Sequence, residues 1–149
     1  MNKKMLTMTT VVFFLVLAGF SPAVAGQISV SVKNLTNGIY FTPLLITAHN
    51  ADTYLFQTGE TASEALRAMA EGGDLSGLLA MVGGEDKDTI ANPAGGPLGP
   101  GASVDNVYLD TGRRGRNKFL SIVAMLLPTN DGFVGLASQR IPHFPGTYK

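Results

Sequence analysis

The segment 120–136, LSIVAMLLPTNDGFVGL, constrains the fold more than any other part of the chain. A run of apolar, partly β-branched residues ends at Pro128, and Asn130, Asp131 and Gly132 precede a second apolar run. Pro128 has no N–H for a central β-ladder, and Asn, Asp and Gly favour tight turns. The pattern predicts two strands joined by a sharp turn, with Asp131 at the edge of a sheet. This carboxylate either holds a metal ion or closes the turn.

The first 25 residues have the pattern of a bacterial secretory signal peptide. Lys3 and Lys4 give a basic start, 11–20 is apolar, and Ala-Val-Ala ending at Ala25 fits a cleavage site. Cleavage there leaves one domain, 26–149, in the periplasm or outside the cell. We expect no membrane span in this mature chain, because no other segment is long and apolar enough.

Composition excludes several classes of function. The chain has no cysteine, which excludes disulfides, thiol nucleophiles, zinc fingers and iron–sulfur clusters. Removing Lys3 and Lys4 from the 11 basic residues leaves 9 against 11 acidic ones, a formal net charge of −2. This balance gives no reason to expect binding to nucleic acid.

Hydrophobic patterning predicts a mainly β protein with one helical insertion. Alternating or continuous apolar runs indicate strands, and an i, i+3, i+4, i+7 stripe indicates a helix. The predicted strands are 27–33, 104–109, 119–127 and 133–138. Residues 39–47 form either a further strand or an extended segment, because Pro43 argues against a central strand throughout. We therefore expect an antiparallel β-sandwich with a short helical crossover at one end.

The insertion contains two predicted helices and a loop. Thr61 and Glu64 have the spacing of a capping box, and the helix that follows ends at a Gly-Gly pair. Asp74 is placed to cap a second short helix, whose stripe is Leu75, Leu78, Leu79 and Val82. The Gly- and Pro-rich segment 83–101 is predicted to be a mobile surface loop.

Four motifs, in this order, resemble the spondin N-terminal domain family in its bacterial branch. They are FTPL at 41–44 with AHN at 48–50, GETAS at 59–63, the segment 66–73 that ends in AEGG, and MLLPTNDGFVG at 125–135. The last motif is the most specific, because an apolar strand, Pro-x-x-Asp and Phe-Val-Gly seldom coincide.

The resemblance implies a C2-like, Greek-key sandwich of eight strands that binds calcium through loop carboxylates and occurs in secreted adhesion proteins. It implies that Asp131 is an ion ligand and that Asp105 or Asn106 supplies a second. A third ligand is expected in an acidic segment beyond Pro145-Gly146-Thr147. The domain 26–149 is therefore expected to be incomplete at its C-terminal end.

Other candidate residues have plainer interpretations. A short basic stretch comprises Arg113, Arg114, Arg116 and Lys118. It either forms a solvent-exposed surface that discourages edge-to-edge strand pairing or binds acidic polysaccharide or lipid headgroups. His49 and His143 lack zinc-site spacing, and His49 is expected to be a hydrogen-bonded loop residue. Asn34-Leu35-Thr36 matches a glycosylation sequon, which we interpret as chance.

Three functions fit these patterns. The leading hypothesis is a non-catalytic recognition or adhesion module with a calcium-stabilised loop end, whose partner is an extracellular protein or glycan. One rival is an exported hydrolase that uses His49 with carboxylates such as Asp52, Glu60 and Glu71. A carboxylate within hydrogen-bond reach of the His49 ring would favour this hypothesis. The other rival is a purely structural envelope protein.

Overall fold

The structure, a computed structural model, describes residues 26–83, 87–112 and 115–149. The predicted signal peptide, together with Arg113 and Arg114 of the basic stretch, lies outside the described residues. Within those ranges, neither helix has the length and apolar character needed to cross a bilayer.

Seven strands and two helices make up the described chain. In chain order they are β1 (Gln27–Lys33), β2 (Tyr40–Phe41), β3 (Leu45–His49), α1 (Glu64–Gly72), α2 (Ser76–Val82), β4 (Asp88–Ala91), β5 (Ser103–Asp110), β6 (Phe119–Leu127) and β7 (Phe133–Arg140). The predicted mainly β architecture is confirmed, as are the predicted strands at 27–33, 104–109, 119–127 and 133–138.

The strands form two antiparallel sheets. β1 pairs with β5 in a two-stranded sheet, and the other five strands form a second sheet around β6. β2 and β3 both pair with β6, β4 pairs with β3, and β7 forms a hairpin with β6. β3 and β7 pair with the same residues of β6, so they occupy its two opposite edges. β6 is therefore the central strand of the larger sheet.

The larger sheet is covered on both faces. On one face Leu45, Val123 and Met125 pack against residues of α1 and α2, including Met69 and Leu78. The opposite face packs against β1 and β5 in a second cluster, which contains Ile46, Ala48, Ala124, Val107 and Leu109. The helical crossover was predicted at one end of the sandwich, but it lies over a face of the sheet. Both clusters consist of residues within 26–149.

The predicted start of α1 was wrong. Its N-cap is Ser63, whose extended backbone lets the Ser63 hydroxyl accept a hydrogen bond from the Leu66 N–H at 3.1 Å. Glu64 is the first helical residue and pairs with Arg67, so it does not reach back to Thr61. The chain holds two hydroxyl residues two positions apart, and the capping-box spacing selected the wrong one.

The start of α2 is close to the predicted one. The Asp74 carboxylate accepts the Ser76 N–H at 2.8 Å, and this bond lowers the pKa of Asp74 below its usual value. The helix begins at Ser76, with Leu75 rather than Asp74 at the cap position.

The prediction of a mobile loop over 83–101 was wrong in two places. β4 pairs with β3, from Leu45 opposite Ala91 to Ala48 opposite Asp88. Further along, Leu98 is buried and exchanges two backbone hydrogen bonds with Phe41, of 3.0 and 2.8 Å. Glycine and proline indicated a loop, but the open edge of β3 supplies a ladder that local composition cannot reveal.

Candidate functional site at the loop end

Three loops meet at one end of the sandwich, which we call the loop end: residues 34–39, 92–102 and 128–132. The turn 128–132 joins β6 to β7 and lies beside β2, because Tyr40 pairs with Leu127. The loop 92–102 reaches the same strand through the bridge between Phe41 and Leu98. Pairing with the short strand β2 therefore places all three loops together.

Asn34 ties two of these loops to each other. Its side chain is 0 % exposed, and its amide donates to the carbonyls of Ile39 at 2.8 Å and Leu98 at 2.9 Å. Its Oδ1 accepts the Thr36 N–H at 3.0 Å and the Thr36 hydroxyl at 2.7 Å. The sequon therefore marks a buried hydrogen-bond network, in which both amide hydrogens have acceptors. The Asn-x-Thr spacing of an Asx turn was the one sequence signal for it.

The turn that carries Asp131 is closed by another side chain. The Thr129 hydroxyl donates to the carbonyl of Leu126 at 2.6 Å and accepts the Gly132 N–H at 3.0 Å. A Cβ at Gly132 would lie 2.7 Å from the Thr129 Oγ1, so the turn needs glycine there. The Asp131 carboxylate is exposed and accepts no hydrogen bond from any described residue. Its side chain is therefore not needed to hold the turn.

The other predicted ligands lie on β5, close to the loop 92–102. The Asp105 carboxylate is exposed and accepts the Ser103 hydroxyl at 2.8 Å. Asn106 has a φ of 58° opposite the irregularity between Val30 and Val32, where the β1–β5 register shifts. Within the described ranges, no group of three or more His, Cys, Asp or Glu side chains converges as metal ligands.

A shallow apolar cleft opens between the loops. It has a volume of about 370 Å³ and is lined by Gly38, Tyr40, Pro97, Leu127 and Pro128. The Tyr40 side chain is 50 % exposed at this cleft, and Leu35, on the loop that Asn34 anchors, is 83 % exposed. The loop end therefore presents an aromatic ring and an aliphatic side chain to solvent, next to the hydrogen-bond network of the buried Asn34 side chain.

His49 belongs to β3 and not to a loop, which corrects the prediction for this residue. Its buried ring donates from Nδ1 to the carbonyl of Asn50 at 2.8 Å, so Nε2 accepts the Ser121 hydroxyl at 2.9 Å. The Ser121 oxygen in turn accepts the Ser138 N–H at 2.9 Å. Burial lowers the pKa of His49 below 6.5 against the opposing effect of the Asn50 carbonyl, and the charge of Lys87 lowers it further.

The carboxylates proposed as catalytic partners do not join this histidine. Both ring nitrogens of His49 are occupied, by a carbonyl and by a hydroxyl. Asp52, Glu60 and Glu71 are exposed. Among the described residues, the contact between His49 and a carboxylate that would favour the hydrolase hypothesis is therefore not formed.

The Spondin_N family model matches residues 33–142, which include the whole loop end and all strands from β2 to β7. This chain belongs to the spondin N-terminal domain family. The resemblance inferred from the four motifs is confirmed. Spondin domains are extracellular and non-catalytic. A comparison with curated proteins finds no matching relative.

The described residues of the basic stretch, Arg116 and Lys118, lie away from the loop end of this spondin domain. Arg116 and Lys118 are exposed and precede β6, whereas the turn 128–132 follows it. A nine-residue strand separates the two regions by about 30 Å. The two candidate surfaces predicted from the sequence therefore occupy opposite ends of the domain.

Proposed function

We propose that the chain is a secreted or periplasmic recognition module whose loop end binds an extracellular protein or glycan. The observation that carries this proposal is the combination of exposed Tyr40 and Leu35 with the buried Asn34 network beneath them. Exposed apolar side chains on loops that are held by buried hydrogen bonds form a surface that is already ordered before a partner binds. Such a surface loses less conformational entropy on binding than mobile loops do.

The expected effect of removing the Tyr40 ring tests this recognition role. Arrays of extracellular glycans and proteins probed with the segment 26–149 should give partners whose binding falls at least about tenfold in Tyr40→Ala, since buried aromatic anchors contribute about 2 kcal/mol. Tyr54→Ala is the matched control, because Tyr54 is 48 % exposed but lies outside the loop end. Equal losses in the two variants would contradict the proposal, and so would the absence of any partner.

The proposal includes a calcium ion at Asp131. Calcium takes six to eight oxygen ligands from carboxylates, carbonyls and water. Asp131 offers a carboxylate that the turn itself does not use, and Asp105 and Asn106 offer oxygens on β5. With this donor set, carbonyl groups and water must complete the shell. The ion would cross-link the turn 128–132 to its surroundings and stiffen the loop end.

Calcium is expected to raise the melting temperature of the domain, because a ligand that binds only the folded state stabilises it. At a calcium concentration of 100 times the dissociation constant, the free energy of unfolding rises by about 2.7 kcal/mol. Asp131→Asn should abolish the shift, since the amide keeps the shape but loses the charge. Differential scanning calorimetry with calcium and with a chelator measures both results.

Asp52→Asn is the control for this experiment. Asp52 is an exposed carboxylate that follows β3, so its removal should leave the calcium shift unchanged. A melting temperature that does not respond to calcium would remove the ion from the proposal. The recognition role tested through Tyr40 would then stand or fall separately.

A further inference from the structure

A second recess lies between the loop that follows β3 and the strand β7, and we call it the β7 recess. Most of its lining comes from the segment 51–58, and β7 contributes Ala137 and Ser138. Its volume of about 470 Å³ lies within the range of small-molecule sites, roughly 300–1,000 Å³. Ser138 lies about 20 Å along β7 from the turn 128–132, so the β7 recess is separate from the cleft of the loop end.

A β-bulge shapes the wall of the recess that β7 supplies. The β6–β7 register shifts between Leu120 and Ile122, where the single residue Ser121 lies opposite two residues of β7. These two residues are Ala137 and Ser138, the ones that line the recess. Ser138 has a φ of 46°, in the left-handed region that non-glycine residues seldom adopt, and its N–H donates to the Ser121 hydroxyl at 2.9 Å. Bulges occur often beside functional sites, because the extra residue changes the direction of a side chain.

Aromatic packing holds the opposite wall of the recess. The Phe56 ring packs edge-on against Phe133 of β7, with ring centroids 5.2 Å apart and an interplanar angle of 87°. A Cβ at Gly135 would lie 2.7 Å from two atoms of the Phe56 ring, so this close approach requires glycine. Leu55, the residue before Phe56, is buried in the cluster that the helices form with the sheet. Both walls are therefore fixed before a ligand binds, which lowers the entropic cost of binding.

Uncharged polar side chains make up most of the lining. They supply four hydroxyl groups and one amide, from Thr53, Tyr54, Thr58, Ser138 and Gln57. Within the described ranges, none of these five side chains forms a hydrogen bond to another residue. No described residue that lines the recess carries a carboxylate or a cationic group. Hydroxyl and amide groups both donate and accept, so the lining offers hydrogen bonds of either sense to a ligand.

From this lining we infer that the β7 recess binds a neutral saccharide. The Tyr54 ring is 48 % exposed and would stack on the C–H groups of a sugar, because the face of an aromatic ring carries partial negative charge. The sugar hydroxyls would exchange hydrogen bonds with the hydroxyl groups and the Gln57 amide. A charged ligand finds no counter-ion in the lining. An apolar ligand would take water from the polar groups without replacing their hydrogen bonds.

The test is affinity electrophoresis of the full-length chain in non-denaturing gels that contain dextran, laminarin, mannan or galactan. At least one of these neutral polysaccharides should retard the protein. Tyr54→Ala should weaken the binding at least about tenfold, the loss typical of an aromatic anchor. Ala137→Leu should weaken it as strongly, because the larger side chain fills the recess and removes no polar group.

Tyr108 supplies the matched control. Its side chain is 56 % exposed and belongs to β5 of the other sheet, so Tyr108→Ala should leave the retardation unchanged. Tyr54, Ala137 and Tyr108 are all exposed, so the melting temperatures of the three variants should stay close to that of the parent.

Three results would overturn the inference. The first is that none of the four polysaccharides retards the protein, and the second is retardation that Tyr54→Ala and Ala137→Leu leave unchanged. The third is retardation that is lost in Tyr40→Ala and kept in Tyr54→Ala, which would assign the saccharide to the loop end. A saccharide lost in Tyr54→Ala and kept in Tyr40→Ala binds the β7 recess. Failure at the recess leaves the recognition role of the loop end intact, since that role is measured through Tyr40.

Discussion

Replacing Asn34 by leucine is expected to destabilise the domain by about 3 kcal/mol, because it removes the four hydrogen bonds of a buried side chain and each contributes roughly 0.5–1.5 kcal/mol. Leucine fills a similar volume but donates and accepts nothing. The carbonyls of Ile39 and Leu98 would each lose one donor and keep the other, from Thr36 and Phe41 respectively. The Thr36 N–H would lose its acceptor. Urea unfolding followed by circular dichroism measures the change.

The control for Asn34→Leu lies three residues away in the same loop. Asn37 is exposed, so Asn37→Leu should change the unfolding free energy by less than about 0.5 kcal/mol. A loss below about 1 kcal/mol in Asn34→Leu would show that water or relaxed loops replace the hydrogen bonds.

The same substitution should loosen the loop end before it unfolds the sheets. The Asn34 N–H also donates to the Ala102 carbonyl and the Gly101 N–H to the Asn34 carbonyl, both at 2.9 Å, so the amides of residue 34 and Gly101 report on the contact. Their hydrogen exchange should quicken more than that of β6. Uniform acceleration across the domain would indicate that Asn34 contributes only to global stability.

Replacing Leu78 by alanine is expected to cost about 2–5 kcal/mol, the range for large-to-small substitutions in protein cores. Leu78 is 0 % exposed and belongs to the cluster in which α1 and α2 pack against Leu45 and Val123 of the larger sheet. The cavity would weaken the attachment of the whole helical crossover. Calorimetric or chemical unfolding measures the effect.

The neighbouring residue of the same helix supplies the comparison. Leu79 is 37 % exposed, and alanine has the higher helix propensity, so Leu79→Ala should cost less than about 1 kcal/mol. Both variants lose the same atoms from the same helix, so the difference between their losses of unfolding free energy measures the contribution of burial. Equal costs would mean that the helices do not pack on the sheet as described.

The strands and their turn were predictable from local pattern. Continuous apolar runs on either side of Pro128 and Asn-Asp-Gly predicted the β6–β7 hairpin, since hydrophobic periodicity and turn residues act over a few positions. The alternating pattern of 27–33 predicted β1 for the same reason. The motif at 125–135 also led to the family, whose match covers 33–142.

The neighbours of those strands were not predictable in the same way. β4 lies in a glycine-rich segment and is a strand because β3 offers it an open edge. His49 follows an apolar run and was interpreted as a loop residue, yet the ladder with Phe119 extends β3 through it. In both cases the pairing partner lies far along the chain, so no local window contains the cause.

At the loop end, the chain by itself determined that Asp131 sits in a turn between two strands, because turn chemistry is local. Only the tertiary structure decided that Thr129 closes that turn and that Asn34 and Leu98, which are 64 positions apart, share a hydrogen bond. It also decided that Lys118 and Arg140 lie together at the end of the β6–β7 hairpin opposite the turn 128–132. Burial and long-range pairing select among the partners that a sequence allows, and both depend on where the strands meet.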